Sequence, residues 1–209
     1  MFSTQDFLEF EQIREGIIIL KNKGLRSVLM VSSLNFALKS TEEQDAILYQ
    51  FQNFLNSLDF TCQILIQSRQ LNIIGYLDYL EEVKNQEEND LLKLQIEEYK
   101  KFISQIMKGG SVMQKSFYVI VPFSLSEAQI DSDIKAKVPK IPVLTEEMFK
   151  RCKIQIWQRV EFVALGLRAC GLSAIPLNSI ELAELLWGLH HPIEGQQGYY
   201  PEIPPDLIK

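Results

Sequence analysis

Cysteine is scarce. Cys62, Cys152 and Cys170 are the only three in 209 residues, too few and too scattered for a disulfide framework. They are expected to be small, buried apolar side chains in a reducing compartment. Glycine and proline are sparse as well, 10 and 8, which excludes collagen-like and low-complexity classes. No run approaches the roughly 18 apolar residues of a membrane-crossing helix. The longest, such as Phe117–Phe123, are strand-sized. The opening Met-Phe-Ser-Thr-Gln-Asp has no basic region and no apolar core, so no secretory leader is expected. The expected residence is cytoplasmic, with a peripheral place at the inner face of the cell membrane still open. A basic surplus is missing too. With 21 Lys and Arg against 27 Asp and Glu, the net charge is −6, so bulk electrostatics does not hold this chain to nucleic acid.

What is present suits a globular fold. Hydrophobic residues are 46%, enough to offset the entropy of ordering. Glu15–Lys21 and Leu25–Leu34 are apolar runs joined by Asn22-Lys23-Gly24, which predicts a hairpin. Residues 1–14 are expected to be irregular or a short helix. Ser40 with Glu43, or Thr41 with Gln44, has capping-box spacing. Behind it Ile47, Leu48, Phe51, Phe54, Leu55 and Leu58 form one helical stripe. Phe60–Arg69 predicts a third strand and Lys115–Phe123 a fourth. Between them, 73–107 is helical, either continuous or broken at the apolar-free stretch Asn85–Asp90. Thr145 caps a long helix whose stripe is Phe149, Cys152, Ile156, Val160, Val163, Leu167 and Cys170, and Gly171 ends it. Asn178 and Glu181 cap a last helix carrying Leu182, Leu185, Leu186 and Leu189, which stops at His191-Pro192.

The expected fold is α+β: a mainly antiparallel sheet of about four strands in ββαβαβ order, with helices on one face and further helices after it. Residues 13–123 would form the sheet domain, 124–144 a polar linker or loop, 145–191 a helical part packed on the first, and 192–209 a proline-rich tail.

Residues with chemical potential are few. Gly166 and Gly171 have phosphate-loop spacing, but Leu172 stands where lysine is needed, and the segment follows a helix rather than a strand. A glycine-capped helix end explains it better. His190 and His191 are the only histidines. As neighbours at a helix end they diverge, and no Cys or carboxylate stands nearby at zinc-like spacing. The acidic pairs fall on helix exteriors. No catalytic residue, cofactor or metal is expected. Trp187, His190, His191, Tyr199 and Tyr200 are the candidate interface, because Trp and Tyr concentrate at binding hot spots.

Several strings resemble a known family. Glu15–Leu20, Leu34–Ser40, Glu42–Ile47 and Gln50–Leu55 look like the N-terminal domain of the TraC/VirB-type conjugation ATPases of type IV secretion systems. Ser116–Val121 resembles their strand after the long helical segment. Arg168–Pro192, with Gly171-Leu172, Glu181-Leu182, Leu185-Leu186 and His191-Pro192, resembles the segment closing that domain, although His191 stands where Asn is commoner. The resemblance covers most of 13–192. It implies a DNA- and protein-transfer machine at the inner membrane. Those ATPases carry a motor domain with Walker motifs, which these 209 residues do not contain. The expectation is therefore a free-standing, non-catalytic docking component. Its partners would be a separate motor ATPase or a small inner-membrane subunit, with self-association as a further option and no direct nucleic-acid contact. Two other readings remain open: a small enzyme pairing His190 or His191 with a Glu, and a nucleic-acid-associated regulator using Lys21, Lys23, Arg26 and Lys39.

Overall fold

A computed structural model describes residues 8–71, 73–109, 112–125 and 144–192. Most of the expected linker and nearly all of the expected tail, Tyr199 and Tyr200 included, lie outside the described residues. The elements are β1 (Phe10–Arg14), β2 (Ile17–Leu20), β3 (Leu25–Val31), α1 (Thr41–Ser57), β4 (Gln63–Gln70), α2 (Ile74–Gln86), α3 (Asp90–Gly109), β5 (Met113–Phe123), α4 (Glu146–Ala169), β6 (Ala174–Pro176) and α5 (Ser179–His190). The class is α+β, with an open antiparallel sheet. Two compact units are present. One holds the described residues of Met1–Ile66 and Ser116–Glu184, the other those of Gln67–Lys115 and Leu185–Glu202. Among the described residues no helix is long and apolar enough to cross a membrane.

The strand order is β1-β2-β3-β5-β4, with β6 also paired to β3. β3 is central, as its apolar residues on both faces predict. Leu25–Val31 pairs antiparallel with Phe123–Phe117 along its whole length. The β2–β3 turn is fixed by Asn22, whose Oδ1 accepts the Gly24 N–H at 2.9 Å. Two strands exceed the four expected. β6 is the short extended piece after Gly171. β1 corrects the irregular or helical expectation for residues 1–14. Arg14 pairs with Ile17, so Glu15-Gly16 is a two-residue turn and not the start of a strand. Both residues have positive φ, 51° and 74°, the conformation that two-residue hairpins require.

The core of the first unit lies between one sheet face and α4. Ile17, Ile19, Leu25, Leu29, Val121 and Phe123 meet Phe149, Cys152, Ile156, Val160, Val163 and Leu167. Every stripe residue named for α4 is buried. Thr145 Oγ1 accepts the Met148 N–H and caps the helix. At the other end Gly171 (φ 81°) donates to Arg168 O and Leu172 to Leu167 O. That is a Schellman ending, so Gly171 is a helix cap. Ser40 and Glu43 form the expected capping box on α1. The α1 stripe is only partly covered: Phe54 alone is buried, while Leu48 and Leu55 are exposed. Phe54 rests on Gly166 of α4, where a Cβ would overlap its ring.

Arg14 joins β1 to α4. Its Nη1 and Nη2 donate to both carboxylate oxygens of Glu146 at 2.8 and 2.6 Å, and its guanidinium lies 4.5 Å from the Phe149 ring centre. The Arg14 hydrogen bonds hold the Glu146 carboxyl below its usual 4.5, and Lys153 does the same for Glu15. Carboxyls lowered in the folded state stabilise it above their unfolded pKa. That contribution fades as pH falls through the folded value.

Three outcomes are expected. Gly166→Ala should destabilise by about 2 kcal/mol in a urea melt, because the Phe54 ring must move. Ser27 is fully buried on β3, and among the described residues its hydroxyl has no hydrogen-bond partner. Ser27→Ala should therefore raise stability, by up to about 1 kcal/mol. The gap in melting temperature between wild type and Arg14→Ala should be largest at neutral pH and shrink below pH 4.5. A gap constant down to pH 2 would remove the ion pair from the account.

Candidate functional site

The outer side of α4 carries an open trough of about 870 Å³. Helical periodicity makes it: once Phe149, Cys152 and Ile156 turn inward, the intervening residues face out. Trp157 and Ala164 from α4 and Ala174 and Pro176 from β6 give it an apolar floor, and the exposed Ile154 stands beside them. Lys150, Lys153, Arg168, Glu15 and Glu161 rim it, so the charge is mixed. Lys153 is already paired with Glu15. Among the described strands β6 pairs with β3 alone, so its other edge is open beside the trough. Gly16 packs under this wall; a Cβ there would lie 3.2 Å from the Leu177 carbonyl oxygen and 3.7 Å from the Trp157 ring.

A second hollow, about 440 Å³, lies at the end of β5. Arg159 dominates it. Its guanidinium sits 4.7 Å from the Phe60 ring centre and 5.0 Å from that of Phe123, and Nη1 donates to Pro122 O at 2.9 Å. A cation between two ring faces and bound to a carbonyl is held in place. Its work is to clamp α4 to the end of β5. Among the described residues the buried Gln155 Oε1 in the same hollow has no hydrogen-bond partner.

The histidine end of α5 belongs to the second unit. His191 stacks on Trp187 with ring centres 4.7 Å apart and an interplanar angle of 15°. Its Nδ1 lies 3.2 Å from the Trp187 carbonyl oxygen, which can only accept, so Nδ1 is the donor. His190 and His191 are both exposed and Trp187 is half-buried. Trp187 and His191 thus form one aromatic unit at the helix end. In the same unit Gly188 makes room for Arg69, whose Nη2 is buried with no hydrogen-bond partner among the described residues. Neither histidine lines the two hollows above. Among the described residues no group of three or more His, Cys, Asp or Glu could hold a metal ion.

The basic stripe weighed from sequence is largely compensated. Lys23 pairs with Glu11 and Lys39 with Glu43, while Arg26 Nη1 donates to the Leu25 carbonyl. Cys152 and Cys170 are buried and Cys62 half-buried, all three as free thiols, and burial raises the pKa of each. The trough escaped sequence reading because Glu15, α4 and β6 lie far apart in the chain. The one available signal was Trp157 and Ile154 falling off the buried stripe of α4.

Comparison with known proteins adds one positive finding. Residues 11–188 match the model of the archaeal TraC-like domain. No curated protein and no solved structure matches. The match spans the sheet, α1 to α4 and most of α5, including the trough and the Arg159 clamp, and on that coverage the chain belongs to the archaeal TraC-like domain family.

Proposed function

We propose that this chain is a non-catalytic docking component of a type IV secretion or conjugation apparatus, and that it binds a separate motor ATPase or a small membrane subunit. Family membership supports the setting, since a TraC-like domain suggests a role related to secretion or conjugation. The observation that carries the docking reading is the trough on α4. Its apolar floor and mixed-charge rim have the anatomy of a protein–protein interface, in which a desolvated centre is ringed by polar groups. An open trough beside a free strand edge suits a polypeptide better than a small metabolite, which is usually enclosed over most of its surface. The Trp187–His191 pair supplies a second aromatic contact of the kind that dominates binding energy.

The enzyme reading has less support. It needs one of the histidines beside a carboxylate in a pocket, and His191 instead lies on Trp187 at an exposed helix end. The nucleic-acid reading needs an uncompensated basic surface, and two of its four residues pair with carboxylates.

The test is co-purification of the tagged chain with the motor ATPase of the same transfer system, for the full chain and for a form ending at residue 190. The full chain should retain the motor and the shortened form should lose at least tenfold in affinity, about 1.4 kcal/mol. Equal retention would remove His191 and the tail from the interface. No retention by the full chain would remove the motor as partner.

A further inference from the structure

The second unit contains a helical hairpin, α2 and α3, with two unlike sides. One is a charged ladder. Glu81 pairs with Lys84 and Lys100, and Glu97 with Lys84 and Lys101. The other is apolar and aromatic. Along α3, Leu92, Tyr99, Phe102 and Ile106 follow positions 92, 95, 99, 102 and 106, a three-four alternation with Gln95 as its single polar member. Along α2, Tyr76, Tyr79 and Val83 repeat the same spacing. This is the seam of a coiled coil, with a repeat of about 3.5 residues.

Among the described residues of this unit nothing covers the seam. Tyr76, Tyr79, Leu92, Tyr99, Phe102 and Ile106 are each between 43 and 58% exposed. Leu80 is the only buried residue of α2. Helices in proteins draw most of their stability from burying an amphipathic face, and here the most ordered apolar pattern of the hairpin faces solvent. Single exposed apolar residues are ordinary; a contiguous two-helix seam marks an interaction surface.

We infer that this seam is a homodimer interface, in which the hairpins of two copies pair face to face to complete a four-helix bundle. Three observations favour a second copy over a different partner. The seam residues carry no charge, so a two-fold axis opposes no like charges. The Tyr76 and Tyr99 hydroxyls interact with each other, which leaves fewer polar groups to be satisfied when the seam is covered. The area is also sufficient. Six side chains about half exposed present roughly 550 Å² per copy, or roughly 1,100 Å² for two, just above the ~1,000 Å² of a specific interface. Interfaces at the low end of the size range belong to weak or transient complexes, so the dimer is expected to form in the micromolar range.

The experiment is sedimentation velocity on the full chain from about 1 to about 100 μM, beside thermal melts of every variant. Wild type should shift from monomer to dimer within this range. Phe102→Glu should weaken dimerisation at least tenfold, and the milder Ile106→Ser should weaken it in the same direction if Phe102→Glu fails to fold. Leu48→Glu, on the exposed side of α1, should leave the dimer intact. Wild type monomeric throughout would overturn the inference. So would a dimer indifferent to the Phe102 and Ile106 changes, or a monomer that binds the motor through this seam. Dimer formation and motor retention are separate readouts, so failure of one leaves the other standing.

Discussion

The seating of α4 on the central strands is the contact on which the other features depend. Six side chains of α4 interdigitate with β2, β3 and β5, and all are buried. Helix-on-sheet burial of this kind contributes about 1.5–3 kcal/mol per large side chain before entropy is counted. It also fixes rotation. With Phe149, Cys152, Ile156 and Val163 inward, Ile154, Trp157, Glu161 and Arg168 must point out. The trough is thus a geometric consequence of the core, and β6 completes it because Gly171 turns the chain back onto β3.

Electrostatics refines this frame more than it creates it. Arg14 combines a bidentate bond to Glu146 with stacking on Phe149, and Arg159 combines a carbonyl bond with two ring faces. Each guanidinium fastens one end of a strand to α4. Planar, delocalised cations suit such joints, and lysine would lose both the stacking and the fork geometry. The ladder on the hairpin is different. It is only partly buried, and ion pairs near the surface add little stability. Its effect is to keep one side of α2 and α3 polar, which leaves the seam as the apolar side.

Much of the fold was legible because local signals were strong. The Ser40–Glu43 box, the Asn178–Glu181 cap, the α4 stripe and the Phe117–Phe123 strand each rest on short-range chemistry that tertiary context did not override. β1 was missed because Glu15-Gly16 sits beside three isoleucines and looks like the edge of an apolar run. Only the antiparallel register shows it as a turn. The question of one helix or two over 73–107 is settled as two, with Glu87 Oε1 accepting the Glu88 and Asn89 N–H groups at the break. The α1 stripe is real but only partly covered, because periodicity says which residues share a face and not whether anything covers it. The same limit hid the seam: Ile96 and Ile103 mingle with Tyr99 and Phe102 in one sequence pattern, and only exposure separates them. The family resemblance supplied what periodicity could not, and residues 11–188 carry it.

The central claim is that α4 has two separable duties, an inner face that builds the fold and an outer face that meets a partner. Measuring melting temperature and motor affinity together, on Val163→Ala and on Ile154→Asp, tests it directly. Val163→Ala should lower the melting temperature, at a cost of about 1–3 kcal/mol, and leave affinity for the motor unchanged below the transition. Ile154→Asp should leave the melt unchanged and weaken binding at least tenfold. Unchanged binding in folded Ile154→Asp, at concentrations where wild type binds, would contradict the account.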